Sequence, residues 1–173
     1  MKMKMGLTLG LCALVMTLAA GWAAADNPVD GTITVTPIPT LSITVGGAIA
    51  LGSVDVAQST YPASGQLLTN LSVVGVSVKS KIGAASGWTA SASAGLDTYA
   101  LRNLAATTVP SHVAIDAETP LSGADAALTG AQTMGATGQG SAITSIWYRL
   151  DMPTSVSSAA AKTIKITYTA TAL

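Results

Sequence analysis

His112 is the only histidine in the 173-residue sequence, and Asp116 stands four positions after it. A histidine and an acid are two parts of a serine hydrolase, in which the imidazole takes a serine proton and the carboxylate orients the ring. The third part does not appear. No Gly-x-Ser-x-Gly elbow occurs, and Gly83-Ala84-Ala85-Ser86-Gly87 has the wrong spacing. A hydrolase is therefore the remotest reading, and His112 reads as an ordinary surface or loop histidine. One histidine and one cysteine, Cys12, are too few for a zinc site. Asp116, Glu118 and Asp125 share a loop-rich stretch that could offer carboxylates to calcium, but the spacing departs from the regular Asp-rich calcium loop. Solvated loop carboxylates are expected instead. Gly135, Gly138 and Gly140 have no following lysine and no strand-to-helix setting, so they read as a flexible connection rather than a phosphate cradle. No catalytic residue, metal ligand or cofactor is expected. Asn70-Leu71-Ser72 matches a glycosylation sequon but falls within an expected strand.

The aromatic residues leave more open. Phenylalanine is absent, and two tryptophans, Trp88 and Trp147, lie beyond the N-terminal region. Trp88 follows Gly87 at the start of an expected strand and reads as a core plug. Strand parity puts Trp147 with Arg149 and Asp151, opposite Ile146, Tyr148 and Leu150. Trp147 and Arg149 are the candidate contact residues for a ligand or partner. Either the indole is covered by the Gly-rich loop or an adjoining strand, or it stands exposed beside a guanidinium. The second arrangement suits stacking on a sugar or anchoring a peptide, with Tyr61 or Tyr99 nearby.

These side chains need a scaffold, and the N-terminus says where it works. Lys2 and Lys4 precede an apolar run from Gly6 to Leu18, and Ala23-Ala24-Ala25 supplies small residues before Asp26. That is the pattern of a cleaved export signal over residues 1–25. Thr8 and Thr17 interrupt the run, so a membrane anchor is disfavoured. Residues 26–173 are expected as a single domain that is secreted, periplasmic or at the cell surface, with no membrane span after cleavage. Cys12 leaves with the signal, so packing alone must stabilise the fold. Losing Lys2 and Lys4 leaves a slight acidic excess, which offers nucleic acid no basic field. Charged residues are 9% of the chain, leaving Ser, Thr, Ala and Gly to form most of the surface.

The expected domain is all-β. Ile33 and Val35, then Leu41, Ile43 and Val45, alternate with hydroxyl residues across Pro37-Ile38-Pro39, as in an edge strand that kinks and switches sheets. A short strand is expected over Ile49–Val56. Leu67–Ile82 reads as one strand with a bulge near Gly75, where the apolar parity changes. Trp88–Ala94, Tyr99–Leu104 and Val113–Ile115 are further strands, and Ser122 with Asp125 predicts a helical turn or two ending at Gly130. Gly130–Gly140 reads as a mobile loop. In the last two strands, Ile146, Tyr148, Leu150 and Met152, then Ile164, Ile166, Tyr168 and Ala170, form the inward faces. Short strands punctuated by Gly and Pro predict an antiparallel β-sandwich.

Four pieces carry a resemblance: ITVTPIPTLSITV at Ile33–Val45, LGSVDVAQSTYPAS at Leu51–Ser64, GWTAS at Gly87–Ser91, and the run from Ile146 to Ala172. In them the chain resembles small exported bacterial proteins built as immunoglobulin-like sandwiches. It is more weakly similar to extracellular fibre subunits, although the disulfide common in many pilus subunits is absent. The resemblance implies a fold and a compartment but supplies no catalytic residues. The leading expectation is a non-enzymatic structural or interaction protein of the envelope, partnered by itself or other envelope proteins and joined through sheet edges. The alternative is a glycan- or peptide-binding module that presents Trp147.

Overall fold

The computed structural model describes Thr34 and residues 38–173. The expected signal over residues 1–25 and the alternation at Ile33 and Val35 lie outside those residues. One of the chain's two compact units spans Ile38–Leu173. Its elements are β1 (Ile43–Val45), β2 (Ser59–Thr60), β3 (Gln66–Asn70), β4 (Val76–Ala85), β5 (Thr89–Ala90), β6 (Thr98–Ala106), α1 (His112–Asp116), β7 (Ala126–Ala127), β8 (Ile143–Asp151) and β9 (Ile164–Ala172). A 3₁₀ turn at Gly140–Ala142 leads into β8. One sheet runs β1-β3-β8-β6-β5, with β2 also paired to β8, and the other runs β7-β4-β9. All pairings are antiparallel except β5 with β6. The chain is therefore all-β with two sheets.

The core follows the alternation. On β8, Ile146, Tyr148 and Leu150 are buried, and they lie opposite Ala105, Asn103 and Leu101 of β6. Leu68 comes from β3, and Val76 and Val78 come from β4. Burying an aliphatic side chain of this kind contributes about 1.5–3 kcal/mol. Ile164, Ile166, Tyr168 and Ala170 of β9 pack on the same cluster but stay half-buried. Trp88 also packs there, half-buried, with its ring centroid 6.4 Å from that of Tyr99.

Several expected elements take other forms. Leu67–Ile82 is two strands in different sheets rather than one bulged strand. Its parity change marks the crossing, where Leu71 and Val73 are exposed. Asn70 holds this corner while fully buried. Its amide donates to the carbonyls of Val74 at 2.9 Å and Gly135 at 2.7 Å, and its Oδ1 accepts from the Ser72 amide at 2.9 Å. The sequon is thus a structural corner with its amide already engaged. The register shift within β4 lies instead between Ile82 and Ala84, beside Gly83.

Ile49–Val56 is irregular, although Ile49, Leu51 and Val54 still pack against the core. Val113–Ile115 is helical because Ser111 caps the turn, accepting from the Ala114 amide, while Ile115 is buried. The expected helical turn before Gly130 is an extended segment, since Ala126 and Ala127 pair with Ser80 and Lys79. The Gly130–Gly140 loop is tied to the core. Met134 exchanges both backbone hydrogen bonds with Val76, at 2.8 and 2.9 Å, and is 3% exposed.

Candidate functional site

Polar chemistry gathers on the outer face of the larger sheet. β-sheet register sets Arg102 of β6 directly opposite Arg149 of β8, a like-charge pair that needs anions between its members. Asp151 supplies one. Its Oδ1 accepts from Arg149 Nε at 2.7 Å and from the Ser59 hydroxyl at 2.6 Å, and its Oδ2 pairs with Arg102. Asp116, carried in by α1, supplies the other, with Oδ1 at 2.8 Å from Arg149 Nη1 and 2.6 Å from the Tyr61 hydroxyl that donates to it. Arg149 Nη2 also donates to Ser59 at 3.1 Å. The Tyr61 ring stacks on His112 with centroids 3.8 Å apart and planes 2° apart.

The electrostatics follow these contacts. Tyr61, foremost among its partners, holds the Asp116 carboxyl below the usual range, and Arg149 adds to the effect against a burial penalty. For Asp151 burial is the largest influence and opposes ionisation, but hydrogen bonds from Ser59, Arg102 and Arg149 outweigh it and keep the carboxyl below its ordinary value. Burial raises the Tyr61 phenol, helped by its bond to Asp116.

This arrangement fastens elements together. It joins the Ser59–Tyr61 segment, α1, β6 and β8 with each charge opposed by its counter-charge. Ser59 hydrogen-bonds a carboxylate and a guanidinium, while His112, which lines the same cavity, stacks on the Tyr61 ring. The three acids proposed for calcium have separate partners: Asp116 as above, Glu118 accepting from Thr129 at 2.7 Å, and Asp125 at 3.3 Å from Lys81. Among the described residues no group of three or more His, Cys, Asp or Glu could hold a metal ion.

The two expected contact residues differ in outcome. Arg149 is the centre of the cluster, with 22% of its side chain exposed. Trp147 is covered, at 9% exposure, because Gly65 lies against the indole and a Cβ there would sit 2.9 Å from its Cε2. The segment leading into β3 thus contributes to the cover. Tyr99 is fully buried as well. The aromatic platform needed for sugar stacking is absent at these two positions. Sequence reasoning missed Ser59 and Arg102, although Arg102 could have been found from parity, as an even position among the inward Tyr99, Leu101 and Asn103.

A second feature lies where the two sheets part. Between β1 and β9 an open groove of about 1200 Å³ is lined by Ile43, Val45, Leu51, Trp88, Ile164 and Ile166, with Lys162 and Lys165 its only charged residues among the described ones. At its base the Tyr148 hydroxyl meets Gln66 Oε1 and the Tyr168 hydroxyl, each at 2.5 Å. β9 pairs only with β4, and among the described residues no backbone group meets its other edge. No protein family, curated protein or solved structure matches this chain.

Proposed function

We propose that this is an exported, non-enzymatic structural protein of the envelope or extracellular space, an immunoglobulin-like sandwich that assembles with copies of itself through the β9 edge. One observation carries the reading: an edge of the nine-residue strand β9 that meets no backbone partner among the described residues borders an open apolar groove. An unpaired edge is a template for another strand, with backbone hydrogen bonds giving affinity and alternate side chains giving register. Isolated sheet proteins usually blunt such edges with charge, and β9 carries only Lys165. The sugar-binding alternative loses its platform with the covered Trp147. Light scattering and electron microscopy of the purified protein test the proposal. Concentration-dependent assemblies are expected; a strict monomer at every concentration would remove it.

A further inference from the structure

The groove needs an occupant, and this sequence contains a fitting one. We infer that it receives the segment Thr32–Thr36 of a second copy, laid as an added strand along β9. This inference rests on the self-assembly proposed above and names the part of the partner that docks.

Three observations point to that segment. First, its residues alternate, with Ile33 and Val35 between Thr32, Thr34 and Thr36. An added strand would turn one of these sets toward the groove. Ile33 and Val35 would continue the apolar row of Ile164, Ile166 and Tyr168, and the threonines would join the exposed hydroxyls of Thr169 and Thr171. Second, charge is complementary. Asp26 and Asp30 precede the segment, whereas the groove carries Lys162 and Lys165 and, among the described residues, no acid. Third, the unit that carries the groove begins at Ile38, which is 93% exposed, and the segment directly precedes it in the sequence. Prolines at 37 and 39 bias Thr36 and Ile38 toward extended backbone. An extended approach of this kind suits a strand laid along a neighbouring copy. Repeated head-to-tail, such a contact does not close and builds a filament.

The test compares the exported protein with its Ile33→Asp/Val35→Asp double variant, using light scattering over a concentration series and electron microscopy. The substitutions lie outside the compact unit, so far-ultraviolet circular dichroism and the urea midpoint should match wild type. Wild type is expected to assemble and the variant to remain monomeric. A synthetic peptide of residues 29–37, added in molar excess, should cap wild-type assemblies, reduce their mean mass and shift emission from Trp88. Assemblies that survive both the variant and the peptide would overturn this docking while leaving self-assembly standing. A wild-type monomer would overturn both. So would a monomer whose urea midpoint falls in the double variant, because the segment would then serve its own chain.

Discussion

At the scale of single residues, Asp151 holds the outer face together. It stands between two arginines that strand register forces opposite each other, and it also accepts from Ser59. Removing its charge leaves Arg102 without its carboxylate and exposes the guanidiniums to mutual repulsion. Only about one-sixth of each side chain in the Arg102–Asp151 pair is exposed, so water screens the loss incompletely. Asp151→Asn should cost about 2–3 kcal/mol near neutrality, read as a lower urea midpoint. The folded-state pKa of Asp151 is depressed, so its contribution is complete above the unfolded value of about 3.9 and disappears as pH falls through the lower folded value. The gap between wild type and variant should therefore stay constant from neutral pH to about 5 and close only below about 4. A gap that narrowed already near pH 6 would assign the effect to some other group.

At the scale of elements, the legible parts were those whose environment repeats every second residue. β8 and β9 were readable because alternate side chains of each pack on the core, buried on β8 and half-buried from Ile164 to Ala170 on β9, and Trp147, Arg149 and Asp151 fell on the expected face. The Leu67–Ile82 crossing was hidden because parity changes in the same way at a bulge and at a change of sheet. Only the side chain of Asn70, bonding to a carbonyl 65 residues away, distinguishes them. The helix at His112 depends on a cap at Ser111 and a docked Ile115, neither of which leaves a periodic trace in five residues. The groove was illegible because it arises from the pairing order of strands, to which local pattern is blind.

The Gly-rich loop shows how one composition can hide two roles. Gly130 has φ +84° and lies against β6, where a Cβ would come within 1.9 Å of the Ala105 carbonyl oxygen. Gly138 has nearly the same φ, +83°, with nothing within 4 Å. Gly130→Ala combines left-handed strain with displacement of a core strand and should cost about 3 kcal/mol or more. Gly138→Ala meets strain alone and should cost about 1 kcal/mol. Similar losses in urea unfolding would mean that the loop does not pack on Ala105 as described.

At the scale of the whole molecule, the fold is asymmetric in how firmly its strands are held. β8 lies between β3 and β6 and also pairs with β2, and its inward side chains are almost fully buried. Among the described residues β9 pairs on one side only, and its inward side chains face a groove that opens to solvent. The single cysteine precludes an intrachain disulfide that might offset this difference. Local opening should therefore be easiest along the β9 edge and hardest at the β6–β8 centre, since opening free energy tracks buried contacts and hydrogen-bond coverage. Amide hydrogen exchange on a dilute sample should show alternate β9 amides, those facing away from β4, exchanging far faster than the amides of β6 and β8. Raising the protein concentration should slow that fast set selectively if the edge receives a strand, because each captured amide gains a carbonyl partner. Protection that is equally strong on both sides of β9 in dilute solution, and indifferent to concentration, would show that the edge is already satisfied within one molecule.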